Sequence, residues 1–390
     1  MLKGWSLLWS LLLASIMTKS ASGDPCVPNS KWILRAHPHD RFQAARDAEL
    51  VEERLRLDDV PADRVVVEVH ALSVDAFVRT MLDATENAAH GGDRLGQPIP
   101  ALGYGTVVRG NDKYPAGATV TGLLQAARYA VVGADGLQPF RVFPRADPHD
   151  HLGVLGISGL AAYIGMFRAA PRGGPRRGET VVVSAAAGAV GCLAAQMARL
   201  CGARVVGVAG GPRKREFLLE DLRLDAAIDY KDSTRTLGEQ LDAACPDGID
   251  LFFDNVGGDL LDEVLQRLNR HARVVICGAI SHYDSGDIND KARIAGPAHY
   301  VKVAETSSTI SGFNMMHYSG HFLAALRYLA WHYYRGNIRC PTHVERGVEA
   351  FGDSLEKLFA GGHVGRLVVD VRGGGATDSE PAAAVTEHAE

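Results

Sequence analysis

The first chemistry legible in this chain is that of phosphate binding. Val181–Gly191 reads VVVSAAAGAVG, an apolar β-branched run that opens into small residues and then into the helical pattern Cys192–Leu200. Strand, tight turn and helix in that order let the backbone approach a pyrophosphate, whose charge is stabilised by free N–H groups and the positive end of the helix dipole. The spacing is Ala186-x-Gly188-x-x-Gly191, one glycine short of the usual dinucleotide fingerprint, and by itself it also fits a glycine-rich turn with no function. A second strand, Arg204–Ala209, follows the helix stop Gly202 and completes a βαβ unit. Where that strand ends, a site for an unphosphorylated ribose calls for Asp or Glu. The chain has Gly210–Gly211–Pro212–Arg213–Lys214 instead. Two cations there suit a ribose 2′-phosphate and predict NADP(H) over NAD(H), the alternative being solvated residues that open a helix.

The elements that must position these groups follow from the pattern on either side. After the Pro-, Gly- and Arg-rich loop Pro171–Gly178, apolar strands alternate with helices. They run Thr180–Ser184, helix, Arg204–Ala209, helix from Pro212, Ala226–Tyr230, helix Leu237–Ala244, Ile249–Val256, helix Leu260–Leu268 and Arg273–Cys277. Such alternation predicts a doubly wound parallel α/β sheet with ligands at the carboxyl ends of its strands. Before it, Lys31–Arg35, Val65–Leu72, Gly105–Val108, Ala118–Val120 and Tyr129–Val132 are short β-rich runs between turn residues, which suits a small β lobe for substrate. In that lobe Asp75 and Arg79 read as a turn and a surface ion pair. Leu152–Ala170 is apolar almost all round and reads as a helix buried between lobes. The expected segments are a leader over 1–29, a substrate lobe over 30–155, a nucleotide lobe over 156–311, a return to the substrate lobe over 312–372 and a disordered tail over 373–390.

At 390 residues and a formal charge of −5, the chain has room for two domains and offers no reason to expect nucleic acid or an anionic membrane as partner. Its six cysteines form no CxxC pair and have no metal-ligand spacing, which reads as reduced thiols and a cytoplasmic setting. Met1–Gly23 argues for export instead: Lys3, an apolar run from Leu7 to Met17 and then small residues resemble a secretory signal. That run is too short for stable membrane insertion. A start at Met17 is a third reading.

Read together, SAAAGAVG at Ser184–Gly191, VVGVAGGPRK at Val205–Lys214, AAIDYKD at Ala226–Asp232, FFDNVGG at Phe252–Gly258 and CGAISHY at Cys277–Tyr283 resemble the zinc-independent medium-chain dehydrogenase/reductases. Within them the likeness is to the prostaglandin reductase and leukotriene B4 12-hydroxydehydrogenase group. The resemblance implies a Rossmann doubly wound parallel sheet plus a GroES-like β-rich substrate lobe, NADP(H) as cofactor and a homodimer. It implies that Gly188, Ala189, Val190 and Gly191 hold the pyrophosphate and that Lys214 and Tyr230 contact the 2′-phosphate; Tyr230 otherwise reads as a strand-end core aromatic. It further implies that Asn255, then Cys277, Gly278, Ala279, Ile280, Ser281 and Tyr283, and then Phe313, Asn314 and Met315 line the path from adenine to nicotinamide, with His363 also at the cofactor. The chain departs from the family at Ala76–Phe77–Val78, at Ser158 and Ala161, and at His363–Val364–Gly365–Arg366, all on the substrate side or near the nicotinamide.

No zinc is expected, because residues 30–155 contain no cysteine and His37, His39, His70, His90, His149 and His151 make no spaced pair with a carboxylate. The reaction expected is hydride transfer to the β-carbon of a small-molecule enone or enal. A phenol can donate to the developing enolate oxygen without itself being charged, and Tyr283, with Tyr104 from the first lobe, is the candidate. The altered first-lobe motifs leave two alternatives: a tailoring reductase in a biosynthetic pathway, and a catalytically quiet NADPH-binding protein.

Overall fold

A computed structural model describes residues 26–84, 94–284 and 294–373. The expected leader and tail lie outside those residues, apart from Cys26–Asn29, which are strand, and Gly373. In chain order the strands are Cys26–Leu34 (β1), Ala48–Arg56 (β2), Arg64–Ser73 (β3), Pro100–Arg109 (β4), Thr119–Gln125 (β5), Tyr129–Gly133 (β6) and Leu137–Pro139 (β7). They continue as Thr180–Val183 (β8), Arg204–Ala209 (β9), Ala226–Asp229 (β10), Ile249–Asp254 (β11), Leu268–Ile276 (β12), Thr309–Gly312 (β13), Thr342–Arg346 (β14) and Arg366–Asp370 (β15).

The second lobe is a six-stranded sheet in the order β10-β9-β8-β11-β12-β13, every pair parallel. Parallel strands covered on both faces read as continuous apolar runs, and here successive residues feed two cores. Val181, Val183, Leu251 and Phe253 pack on one face, Val182 and Phe252 on the other. On the first face lies the helix Ile157–Ile164, which widens into a π-turn over Gly165–Ala169. It sits directly on the sheet, because a Cβ at Gly165 would stand 2.5 Å from the Phe253 ring.

The first lobe is built on β14-β15-β3-β4-β5-β7, with β6 added to β3, and on the antiparallel ribbon β1-β2. Strand β2, AELVEERLR, escapes a reading by apolar pattern because half of it is charged. Cross-strand pairing uses those charges, with Lys31 Nζ 2.6 Å from Glu53 Oε2.

The expected return of 312–372 to the first lobe is corrected in part. Thr309–Gly312 is the sixth strand of the parallel sheet, and Ala325 and Leu329 of the helix Phe322–Tyr334 belong to the core beneath Ile157–Ile164. The chain rejoins the first lobe only with β14 and β15, where β15 pairs antiparallel with β3. The apolar face of the intervening helix decides this, since it needs the second lobe's core for burial.

Asp75 and Arg79 are not a surface pair. Arg79 is fully buried, its Nη1 2.5 Å from Asp83 Oδ1 and its Nε 3.3 Å from Asp284 Oδ1, and it donates to the Asp40 carbonyl at 3.0 Å. Asp284 also accepts the Phe42 N–H at 2.8 Å, so this arginine joins the first lobe to the loop that follows Tyr283. Asp75 instead meets Arg366, 2.9 Å away. Removing the cation would take from Asp83 its ion-pair partner and leave Asp284 with the Phe42 N–H alone, where little water reaches either carboxylate. Arg79→Met is therefore expected to lose about 3–5 kcal/mol of stability, read as a lower urea midpoint at unchanged m-value.

Candidate functional site

The site begins at the turn between β8 and the helix Ala189–Leu200. Gly188 precedes that helix in an extended conformation and no side chain caps it, so no side-chain acceptor occupies the N–H groups of its first turn. The turn is tight: a Cβ on Gly191 would stand 2.2 Å from the Ala185 carbonyl oxygen, closer than atoms can approach. Ala186 stands where the fingerprint has its first glycine, and room for its methyl comes from Gly207 on β9, whose own Cβ would stand 3.0 Å from it.

Sheet order reverses between β8 and β11, the place where such folds open a crevice. There Ser184 Oγ donates to Asp254 Oδ1 at 2.9 Å and accepts the Asn255 N–H at 2.7 Å, while Asn255 Nδ2 donates to the Ser184 carbonyl at 2.7 Å. Asp254 is fully buried, which pushes its carboxyl pKa up; N–H groups of Val256 and Gly257 and the Ser184 hydroxyl oppose that push. The next loop hangs on the same pair, with Cys277 N donating to the Asp254 carbonyl at 2.7 Å and Ile280 N to the Asn255 carbonyl at 3.0 Å. Burial pushes the Cys277 thiol up to about 12, so it stays protonated. Sequence reasoning named Asn255 and Cys277–Tyr283 as site residues and missed Ser184 and Asp254, which hold them. The signal was a hydroxyl and a carboxylate at the carboxyl ends of the two central strands.

Beyond β9 the chain turns through Gly210 and Gly211 into a short helix, Pro212–Glu216, that carries Arg213 and Lys214. These residues face Gly361, Gly362, His363 and Val364 across a cleft of about 170 Å³. Among the described residues no acid lines it. Asp229, at the end of the neighbouring strand β10, is taken by the N–H groups of Gly211 at 2.7 Å and Lys231 at 3.0 Å. Tyr230 lies against Gly210, its ring 2.7 Å from where a Cβ would stand, and is 57% exposed at the mouth. It is not a core aromatic. Lys214 reaches over Gly361, and burial, then Lys231, lowers its pKa. Clustered cations without an acid fit a 2′-phosphate.

Tyr283 ends the short helix Ile280–Tyr283 and folds back so that its hydroxyl accepts the Ala279 N–H at 3.1 Å. That acceptance leaves the phenolic proton free to donate elsewhere, and burial raises the phenol's pKa. Ser281 donates to the Val256 carbonyl at 2.6 Å. Tyr104 lies elsewhere: it is buried in the first lobe with Ala71, Leu152 and Val368 and stacks on Phe140 at 4.4 Å. At the end of β13, Phe313 packs against Gly165, Asn314 Oδ1 accepts the Met316 N–H at 3.0 Å, and Met315 packs on the core. Among the described residues no three His, Cys, Asp or Glu side chains gather as a metal site, and no helix is long and apolar enough to cross a membrane.

Two family models match the chain: an N-terminal domain of oxidoreductase over residues 30–140 and a zinc-binding dehydrogenase over residues 189–330. YfmJ of Bacillus subtilis is 34% identical, covering 82% of this chain and 94% of its own length. The NADP(+)-dependent 2-alkenal reductase of Nicotiana tabacum is 31% identical, covering 88% and 98%. Among solved structures, CurA from Vibrio vulnificus in complex with NADPH superposes with a TM-score of 0.76 at 26% identity, covering 87% of this chain and 98% of that one.

The tight turn generates a direct test. Gly191→Ala is expected to weaken NADPH binding at least roughly tenfold, about 1.4 kcal/mol, in a fluorescence titration, with the circular dichroism spectrum unchanged. Unaltered affinity would mean that this turn does not hold the phosphates.

Proposed function

This chain belongs to the zinc-independent medium-chain dehydrogenase/reductase family, and from that premise we propose that it reduces the carbon–carbon double bond of an α,β-unsaturated ketone or aldehyde with NADPH. The observation that carries the cofactor half of this reading is the acid-free cationic cleft between Gly210–Lys214 and Gly361–Val364. The similarity to an alkenal reductase supports the substrate half. When bound, NADPH supplies the hydride that reaches the β-carbon of the acceptor.

The chain's own residues do the rest. The N–H groups from Gly188 to Gly191 and the helix that follows them orient the pyrophosphate. Lys214, with Tyr230 at the mouth, holds the 2′-phosphate. Asn255, kept in place by Ser184 and Asp254, and the loop Cys277–Tyr283 form the wall along the cofactor, continued by Phe313, Asn314 and Met315. Tyr283 donates its phenolic proton to the carbonyl oxygen, where negative charge builds as the β-carbon is reduced. Its hydroxyl is suited to this because the Ala279 N–H fixes it from the acceptor side and burial keeps it neutral. Tyr104, stacked on Phe140, serves as packing in the substrate lobe.

Three outcomes test the reading. With purified protein and a panel of enals and enones, absorbance at 340 nm should fall with NADPH and far less with NADH. Lys214→Ala should narrow that preference by roughly 10–100-fold, the 1.5–3 kcal/mol typical of a hydrogen bond to a charged group. Tyr283→Phe should lower kcat by about 10²–10³ with the NADPH Kd unchanged. A variant that binds and turns over like the parent would move the proton donor elsewhere.

A further inference from the structure

One side chain lining the cationic cleft has an atom that no described residue satisfies. His363 is 8% exposed, and its Nδ1 is buried without a hydrogen-bond partner among the described residues. A buried polar atom in that state is costly unless something arrives to pair with it. It follows the left-handed helix cap Gly361 and lines the cleft opposite Lys214.

The groups that face this imidazole come from four elements. Lys214 faces it from the helix Pro212–Glu216, His343 from β14, Lys357 from the helix Phe351–Ala360 and Arg366 from β15. The acids near them are already engaged. Glu345 Oε1 lies 2.5 Å from Lys357 Nζ and 3.0 Å from His343 Nε2, and Asp75 pairs with Arg366. Burial first and then these cations push the His363 pKa down to about 4, so in the free protein the ring is neutral. A dianion arriving in the cleft reverses that balance, because an opposite charge within a few ångströms favours the imidazolium.

We infer that His363 takes a proton from solvent at Nδ1 as the 2′-phosphate of NADP(H) enters beside Lys214, so that capture of the cofactor is coupled to proton uptake. The inference rests on the NADP(H) reading above. In this step a solvent acid releases H⁺, an N–H bond forms at Nδ1, and that N–H donates to a phosphate oxygen. No electrons are transferred.

The sign of the pH dependence follows. Between the low pKa of the free protein and the higher one of the complex, the complex holds more protons, so affinity falls as pH rises. Below the first value the ring is protonated in both states, above the second it is neutral in both, and this residue contributes no dependence. One proton limits the effect to about one decade in Kd per pH unit. The phosphate has a second pKa near 6 and acts with the opposite sign by releasing its own proton on binding. That contribution and Lys214 are common to the parent and to any variant at 363, so the difference between them isolates the histidine.

The test is calorimetric titration of the full chain with NADPH near pH 6 in buffers of different ionisation enthalpy, which counts protons taken up per cofactor bound. The parent should take up more than His363→Asn or His363→Gln, by up to one proton, and its Kd should rise more steeply with pH. NADH should show no such difference between parent and variants. In the parent, the ¹⁵N signals of the His363 ring should change from neutral to imidazolium on adding NADPH, a readout that does not depend on either variant folding. Equal proton counts in parent and folded variants, or a ring that stays neutral, would overturn the inference while leaving NADPH binding intact. The same histidine-dependent uptake with NADH would overturn the assignment to the 2′-phosphate. Failure of the parent to bind NADPH at all would remove the cofactor reading itself, a distinct result.

Discussion

The site depends on one close approach between chain segments far apart in sequence. Gly365 N donates to the Ala187 carbonyl at 2.7 Å, and Gly365 bridges to Gly188 in the turn between β8 and the helix Ala189–Leu200. Only glycine can make this crossing. Gly365 has a φ of 75°, and a Cβ there would stand 2.0 Å from the Pro341 carbonyl oxygen. Because the crossing is fixed, the residues on either side of it are fixed too. His363 is set into the cationic cleft, and Arg366 is brought against Asp75 of the first lobe and Ser158 of the helix Ile157–Ile164. Two of the segments that depart from the family pattern thus meet beside Asp75 at one buried cluster, where Ser158 Oγ accepts from the Arg366 guanidinium at 3.1 Å.

Charge is distributed so that anions are drawn to one place. Around the cleft the carboxylates are engaged: Asp229 by backbone N–H groups, Glu345 by Lys357 and His343, Asp75 by Arg366. The cations Arg213 and Lys214 line the cleft. At the centre of the sheet Asp254 serves a different purpose. Buried and held by amide and hydroxyl donors, it fixes the geometry of Asn255 and of the loop carrying Tyr283. Buried polar networks of this kind give orientation when every member is paired. Arg79 does the same between lobes, through Asp83 and Asp284.

Much of this was legible locally. Strands β8, β9 and β11 and the second half of β12 are largely apolar runs because a parallel sheet is covered on both faces, and their spacing with helices was enough to imply the doubly wound order. The phosphate turn and Lys214 follow from residue types at fixed offsets. Strand β2 was hidden because its charges pair across a ribbon rather than alternate with apolar residues. The polar pair Asp75 and Arg79 looked superficial because burial of a charge depends on its partners, and two of these, Arg366 for Asp75 and Asp284 for Arg79, lie 291 and 205 residues away. The helix Phe322–Tyr334, placed with the rest of 312–372 in the first lobe, packs in the second for a similar reason, since an amphipathic helix declares which face is apolar and not which core will receive it.

By itself, then, the amino-acid sequence determined the parallel α/β lobe, the glycine-rich turn after β8, the cations that suit a 2′-phosphate and the family to which they belong, because each depends on residues close together along the chain. The tertiary structure alone decided that Gly361–Val364 closes the cleft, that His363 lines it with a buried Nδ1 unpaired among the described residues, that the Tyr283 hydroxyl accepts the Ala279 N–H and that Tyr104 is packed away. Those outcomes depend on which distant segments touch and which polar atoms are left without partners, and neither property belongs to any single stretch of the chain.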